Sequence, residues 1–243
     1  MAANFYVAPE QLMKDRADYA RKGIARGRAL VAVEFAQGVI FAGENPSGSL
    51  HKTSEIYDRI AFAAVGRYNE FESLRVAGIR LADVKGYQYA REDVTAKPLA
   101  NAYSQALGAS FMGDAKPFEV ELLIAQVDGD GVFSGQDGSG RSEGATGVGL
   151  ELFHILYDGS IVDEHEFVAI GGETEPLTTY LAEHWQPGLD RDEAVRLAVG
   201  SLASAATREL TADVLEVAGL DATRPRRRFF RLHGAELDGV LGG

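Results

Sequence analysis

The chain has 243 residues, 46% of them hydrophobic, with no cysteine and a formal net charge of −12 at pH 7. This length and apolar content suit one globular domain, or two small ones, with a sizeable core. The acidic balance argues against general nucleic-acid or anionic-membrane binding, and the lack of cysteine excludes disulfides and thiol catalysis.

The first residues, MAANFYVAPEQLMKDRADYARKG, contain no apolar signal region, and no apolar run reaches membrane-spanning length. A soluble, cytoplasmic protein without membrane contact is expected. Residues 1–8 read as a tail and 9–243 as a single domain. Pro9-Glu10 opens a helix, with proline and an acid in its first turn. Met13, Ala17 and Ala20 follow at helical spacing, and Gly23 is read as its end. Such a charged, thinly apolar helix either packs on its own domain or needs a partner to cover it.

Residues 29–66, ALVAVEFAQGVIFAGENPSGSLHKTSEIYDRIAFAAVG, carry the densest pattern. Residues 29–35 alternate as a strand, Gln37-Gly38 marks a turn, and 39–42 return. A polar stretch follows, in which Lys52 stands alone before 56–59. Residues 60–65 form a third strand ending at Gly66. Helical spacing then covers 70–82 and 98–112, the latter through Leu99, Ala102, Tyr103, Ala106, Leu107 and Phe111. FEVELLIAQV at 118–127 reads as a central strand.

Residues 128–149, DGDGVFSGQDGSGRSEGATGVG, read as a flexible glycine-rich loop. They lack the phosphate-loop pattern and the regular ligand spacing of a calcium loop. A second hairpin covers 150–163 around Asp158-Gly159, and a short strand covers 167–171. Helices are expected at 174–185 and, behind the capping box Asp190-Arg191-Asp192-Glu193, along 194–205. Strands at 214–221 and 229–232 and a short helical pattern with Leu237 and Leu241 complete the chain. The basic run RPRRRFFR at 224–231 is read as an exposed strand face in preference to a nucleic-acid site. The five histidines show no HxxxH or HxxH pairing, so no metal site is expected, and nothing calls for a cofactor.

Helices in pairs between runs of strands imply an α+β fold: a four-layer αββα sandwich, two antiparallel sheets between helix layers. Several segments carry a resemblance to a known family. They are ARKGIARGRALVAVEFAQGVIFAGENPS, LHKTSEIYDRIAFAAVG, AKPFEVELLIAQVD, the YDGS turn at 157–160, and DATRPRRRFFRL. Together they resemble proteasome α subunits of the actinobacterial type, which share the N-terminal-nucleophile fold.

The resemblance implies a homo-heptameric α ring stacked on rings of catalytic β subunits, as α7β7β7α7. It also implies a ring-shaped AAA ATPase activator that delivers unfolded substrates bearing a small ubiquitin-like tag. The catalytic members use an N-terminal threonine whose own α-amine is the base. Aligning the first hairpin puts Arg28 at that position, with Glu44 and Lys52 matching the acid and lysine beside the nucleophile. The family cleaves itself at a Gly-Thr bond, and no Gly-Thr dipeptide is present. No catalytic residue is therefore expected, although an active hydrolase bearing a 28-residue propeptide is the competing reading.

By the same resemblance Lys52 lines a solvent-facing pocket between neighbouring subunits and pairs with the terminal carboxylate of an ATPase tail. A plain surface lysine, or one paired with Glu55, is the ordinary alternative. Gly66 and Pro9 join Lys52 in the implied activator site, Pro9 as the proline of a displaceable reverse turn. Asn4, Phe5, Tyr6, Val7 and Ala8 are expected to form a gate at the ring axis.

Overall fold

The computed structural model describes residues 8–128, 149–206, 208 and 210–242. The gate residues Asn4, Phe5, Tyr6 and Val7 and nearly all of the glycine-rich segment lie outside the described residues. Strand β1 (Leu30–Phe35) returns as β2 (Gly38–Glu44) over Ala36-Gln37, one residue earlier than the sequence signal. Successive side chains of a strand point to opposite faces. Leu30 and Ala32 therefore enter the core between two sheets, while Val31, Val33 and Phe35 enter the core beneath a helix layer.

The first sheet has strand order β10-β9-β2-β1-β8, adding β8 (Phe167–Ile170), β9 (Leu215–Asp221) and β10 (Phe229–Leu232). The second has order β3-β4-β5-β6-β7: Thr53–Tyr57, Ile60–Gly66, Val120–Asp128, Gly149–Ile155 and Ile161–Asp163. Every pairing is antiparallel. Helices α2 (Tyr68–Gln88) and α3 (Ala96–Gly113) cover the second sheet, where Phe71, Leu99, Tyr103 and Leu107 meet Phe62 and Ile124. Helices α4 (Glu175–His184), α5 (Arg191–Ala205) and α6 (Ala235–Leu241) cover the first, where Leu177, Leu181, Ala198 and Leu237 meet Val31, Ile40 and Val217. The four-layer αββα sandwich is the architecture expected from the sequence. The capping box is present as well: the Asp190 carboxylate accepts from the Glu193 amide at 2.8 Å, and Glu193 accepts from the Asp190 amide at 2.8 Å.

Three local expectations need correction. Residues 53–57 form a strand where a polar connection was read. TSEIY sits on a sheet edge, half-buried, with a bulge between Glu55 and Tyr57 that breaks the alternation. Helix α1 (Pro9–Ala25) runs past Gly23, whose missing side chain makes room for the buried Glu119; a Cβ there would sit 2.1 Å from its carboxylate oxygen. Nor does α1 lack a partner within the chain. Ala20 and Ile24 are buried in the inter-sheet core, and the Arg16 guanidinium donates to the carbonyls of Ser110, Phe111 and Asp114 at the end of α3.

The stacking of the sheets defines two lateral rims. Strands β3 and β10 lie together on one, joined by Arg231, which reaches the Thr53 carbonyl. Strands β7 and β8 lie on the other, connected by the short link 164–166.

Candidate functional site

The end of α1 delivers Arg28 to the start of β1, and β2 ends beside it at Glu44. The Arg28 Nε stands 2.9 Å from a Glu44 carboxylate oxygen, and Arg208 reaches the same oxygen. Lys52 Nζ donates to the Arg28 carbonyl at 2.8 Å. The three positions matched by the hairpin alignment therefore meet in space. Chemically they form an ionic cluster: Arg28 brings a guanidinium rather than a hydroxyl, and its nitrogen is committed to the peptide bond with Gly27. Beside it opens a cleft of about 260 Å³ that reaches from Arg28 and Glu44 to Glu173, Leu177 and Leu202.

Lys52 is the residue immediately before β3 and is pinned through its backbone. Its amide donates to Glu216 at 2.9 Å and its carbonyl accepts from Ala64 at 2.9 Å. The residue is half-buried, and the bond from its amine to the Arg28 carbonyl lies at the exposed surface. Burial is the main reason its amine is held down to about 8; the neighbouring Arg28 charge acts in the same direction, against Glu216 and Glu44. The alternative partner, Glu55, is engaged elsewhere, with Arg227 at 2.5 Å.

Glu216 is the residue that sequence reading missed. Buried on β9, it accepts from Asn45 at 2.6 Å, the Lys52 amide at 2.9 Å, the Thr53 amide at 3.0 Å and hydroxyl at 2.5 Å, and Arg231 at 2.9 Å. Burial by itself would raise its carboxyl. The donors from Thr53, Lys52, Asn45 and Arg231 outweigh that and hold it below the usual range. Its only sequence signal is a carboxylate within the apolar strand LEVAGL.

Gly66 joins this neighbourhood. It ends β4 with φ 105°, and a Cβ there would lie 1.9 Å from the Glu119 carbonyl, so the crossing of backbones requires glycine. Gly27 packs close to its amide. Pro9 does not join them. It opens α1, a helix of 17 residues, so about 25 Å of helix at about 1.5 Å per residue separates it from the Arg28 end. Ala8 is exposed at the N-cap.

Among the described residues no cluster of His, Asp and Glu could hold a metal ion, and no helix is long and apolar enough to cross a membrane.

A proteasome subunit family model matches residues 24–149 and 144–220. The chain is 54% identical to "Proteasome subunit alpha" of Kineococcus radiotolerans, over 100% of this chain and 99% of that protein. It is 54% identical to the protein of the same name from Sanguibacter keddieii, covering 99% and 90% of the two chains. Identity to that of Streptomyces avermitilis is 52%, covering 99% and 91%. With its fold, its first-hairpin cluster and this similarity along the whole length, the chain belongs to the proteasome α subunits.

Proposed function

We propose that this chain is the non-catalytic α subunit of a cytoplasmic 20S core particle. Seven copies form each outer ring, residues 4–8 gate entry to the β chamber, and Lys52 anchors the carboxylate tail of a ring ATPase. The ATPase brings unfolded proteins marked with a ubiquitin-like tag.

The observation that best supports the non-catalytic role is the cluster at the start of β1. A threonine protease needs hydroxyl and free amine on one residue, and the matching position holds Arg28 clamped by Glu44. The propeptide-bearing hydrolase is disfavoured on the same ground and by the absence of a Gly-Thr bond. For the anchor, the support is a fixed backbone and an amine with donor capacity beyond its bond to Arg28.

A partly desolvated amine–carboxylate contact contributes roughly 1.5–3 kcal/mol. Lys52→Ala is therefore expected to weaken each tail roughly ten- to a hundredfold, and the whole activator more, because several tails bind together. Assembly with β and hydrolysis of small peptides should persist. ATPase binding and degradation of protein substrates by assembled particles measure this. Normal docking would make Lys52 a bystander, and failure to assemble would make it structural.

A further inference from the structure

The two rims of the sandwich carry opposite charge. On the β3/β10 rim, residues 224–231 supply Arg224, Arg226, Arg227, Arg228 and Arg231 with no acid among them. Arg227 and Arg231 are spent on Glu55 and Glu216. Arg224 and Arg226 are exposed and meet no carboxylate among the described residues. Arg224 is spread over the Phe230 ring, 5.4 Å from its centroid, and lines a cleft with Glu236 without pairing to it. Arg226 has φ 68°, at the turn between β9 and β10.

On the opposite rim, the chain from 149 to 190 contains no lysine or arginine. There Asp163 and Glu166 are exposed. Asp163 has only His165 at 4.0 Å, and Glu166 has no cationic partner among the described residues. Beside them Ile161 and Val162 of the edge strand β7 are 37% and 43% exposed.

These rims cannot neutralise each other within one chain. Four strand spacings of about 4.8 Å, roughly 19 Å, lie between them, more than twice the roughly 8 Å screening length of physiological salt. They do lie at the same end of the sandwich. The arginine turn sits against the β1–β2 turn, where the Ala222 amide donates to the Gln37 carbonyl. Glu166 lies beside the same hairpin, accepting from the Glu34 amide. A cyclic ring is built from a heterologous contact, in which two different patches of each copy meet.

We propose that the Arg224–Arg226 ledge of one copy docks on the Asp163–Glu166 rim of the next copy, and that this charge pairing orients each subunit against its neighbour around the α ring. The inference rests on the ring reading above and identifies the faces that close it. The occupant is a second copy because the complementary patch is present on this same chain, at matching height on the far rim.

The test uses the full chain co-expressed with its β subunit, examined by sedimentation and electron microscopy at low and physiological salt. Arg224→Glu with Arg226→Glu should lose the ring species while circular dichroism stays native. Asp163→Arg with Glu166→Arg should do the same. Combining all four reversals should restore rings, since opposite charges again meet. Rings formed normally by either pair of reversals would overturn the proposal, as would four reversals that fold yet fail to assemble. If one pair of reversals misfolds, the other pair and the salt dependence of the wild-type ring decide; rings indifferent to salt and to that pair would overturn it. Normal rings together with lost heparin retention would assign the arginines to a polyanion instead. A wild-type chain that forms no ring with β overturns the ring reading itself, a result distinct from failure of the variants alone.

Discussion

An ammonium group gives up hydration when it is covered, so the half-buried Lys52 releases its proton near pH 8, well below an ordinary lysine. Only the protonated amine pairs with a carboxylate. Docking through Lys52 is therefore expected to hold at pH 7 and to fall as pH rises through about 8, approaching tenfold per pH unit beyond it. Lys52→Arg keeps its charge throughout and should abolish this dependence, although its planar fork does not reproduce the lysine contact. Binding isotherms for the activator at pH 7 and 9, with both proteins, measure the difference.

His154 behaves in the opposite sense. Burial penalises its charge, but the carboxylates of Glu121 and Glu164 outweigh that and raise it to about 9. The Glu164 contact is 3.3 Å; the Glu121 contact, at 3.7 Å, is ionic and too long for a hydrogen bond. A raised folded-state value contributes stability that is complete below the unfolded value of 6.5 and is lost as pH climbs through about 9. His154→Gln is therefore expected to cost about 3 kcal/mol at pH 6 and little at pH 10. Urea unfolding at the two pH values checks both size and sign.

At the scale of elements, α1 is held at its second half by Ala20 and Ile24 in the core and at its first half by one arginine. Helix ends leave carbonyls without partners, and a cation at a C-terminus complements the helix dipole. Arg16 meets the Phe111 and Asp114 carbonyls at the end of α3, and that of Ser110, which also accepts from the Asp114 amide, while lying over the Phe111 ring. Arg16→Ala should cost about 1–2 kcal/mol and raise hydrogen exchange in the first turns of α1 more than at Ala20 and Ile24, which stay in the core. Uniform exchange along α1 would show that the helix is fixed elsewhere. Strand β3 follows a similar logic: Glu216 and Arg231 reach from the other sheet to hold Thr53, and this fixes where Lys52 begins.

For the whole molecule, the proposed roles separate by place. The charged cluster at the start of β1 lies at one end of α1, and Pro9, the first residue of α1, lies at the other. Deleting residues 1–8 from the assembled particle should therefore raise hydrolysis of peptides without altering β chemistry or Lys52-dependent docking. Steady-state peptide hydrolysis, compared with that of separately prepared β subunits, measures this; an unchanged rate would mean that these residues do not gate.

The layer architecture was legible in the sequence because it rests on local periodicity. Alternation in β1, the apolar run of β5, the helical spacing of Leu99, Tyr103 and Leu107 and the Asp190–Glu193 box each report their own surroundings. The identity of Arg28 was equally plain, and with it the expectation that the matching position carries no threonine chemistry. What escaped were partnerships across long stretches of chain. Glu216 lies more than 160 residues from Asn45, Lys52 and Thr53, and no short pattern announces that a strand carboxylate will gather them. Strand β3 was missed because an edge strand with a bulge has no clean period. The burial of Lys52, its bond to the Arg28 carbonyl and the opposite charge of the two rims were decided only by the stacking of the sheets. Burial and electrostatic partnership depend on distance in space, which a linear chain acquires when it folds.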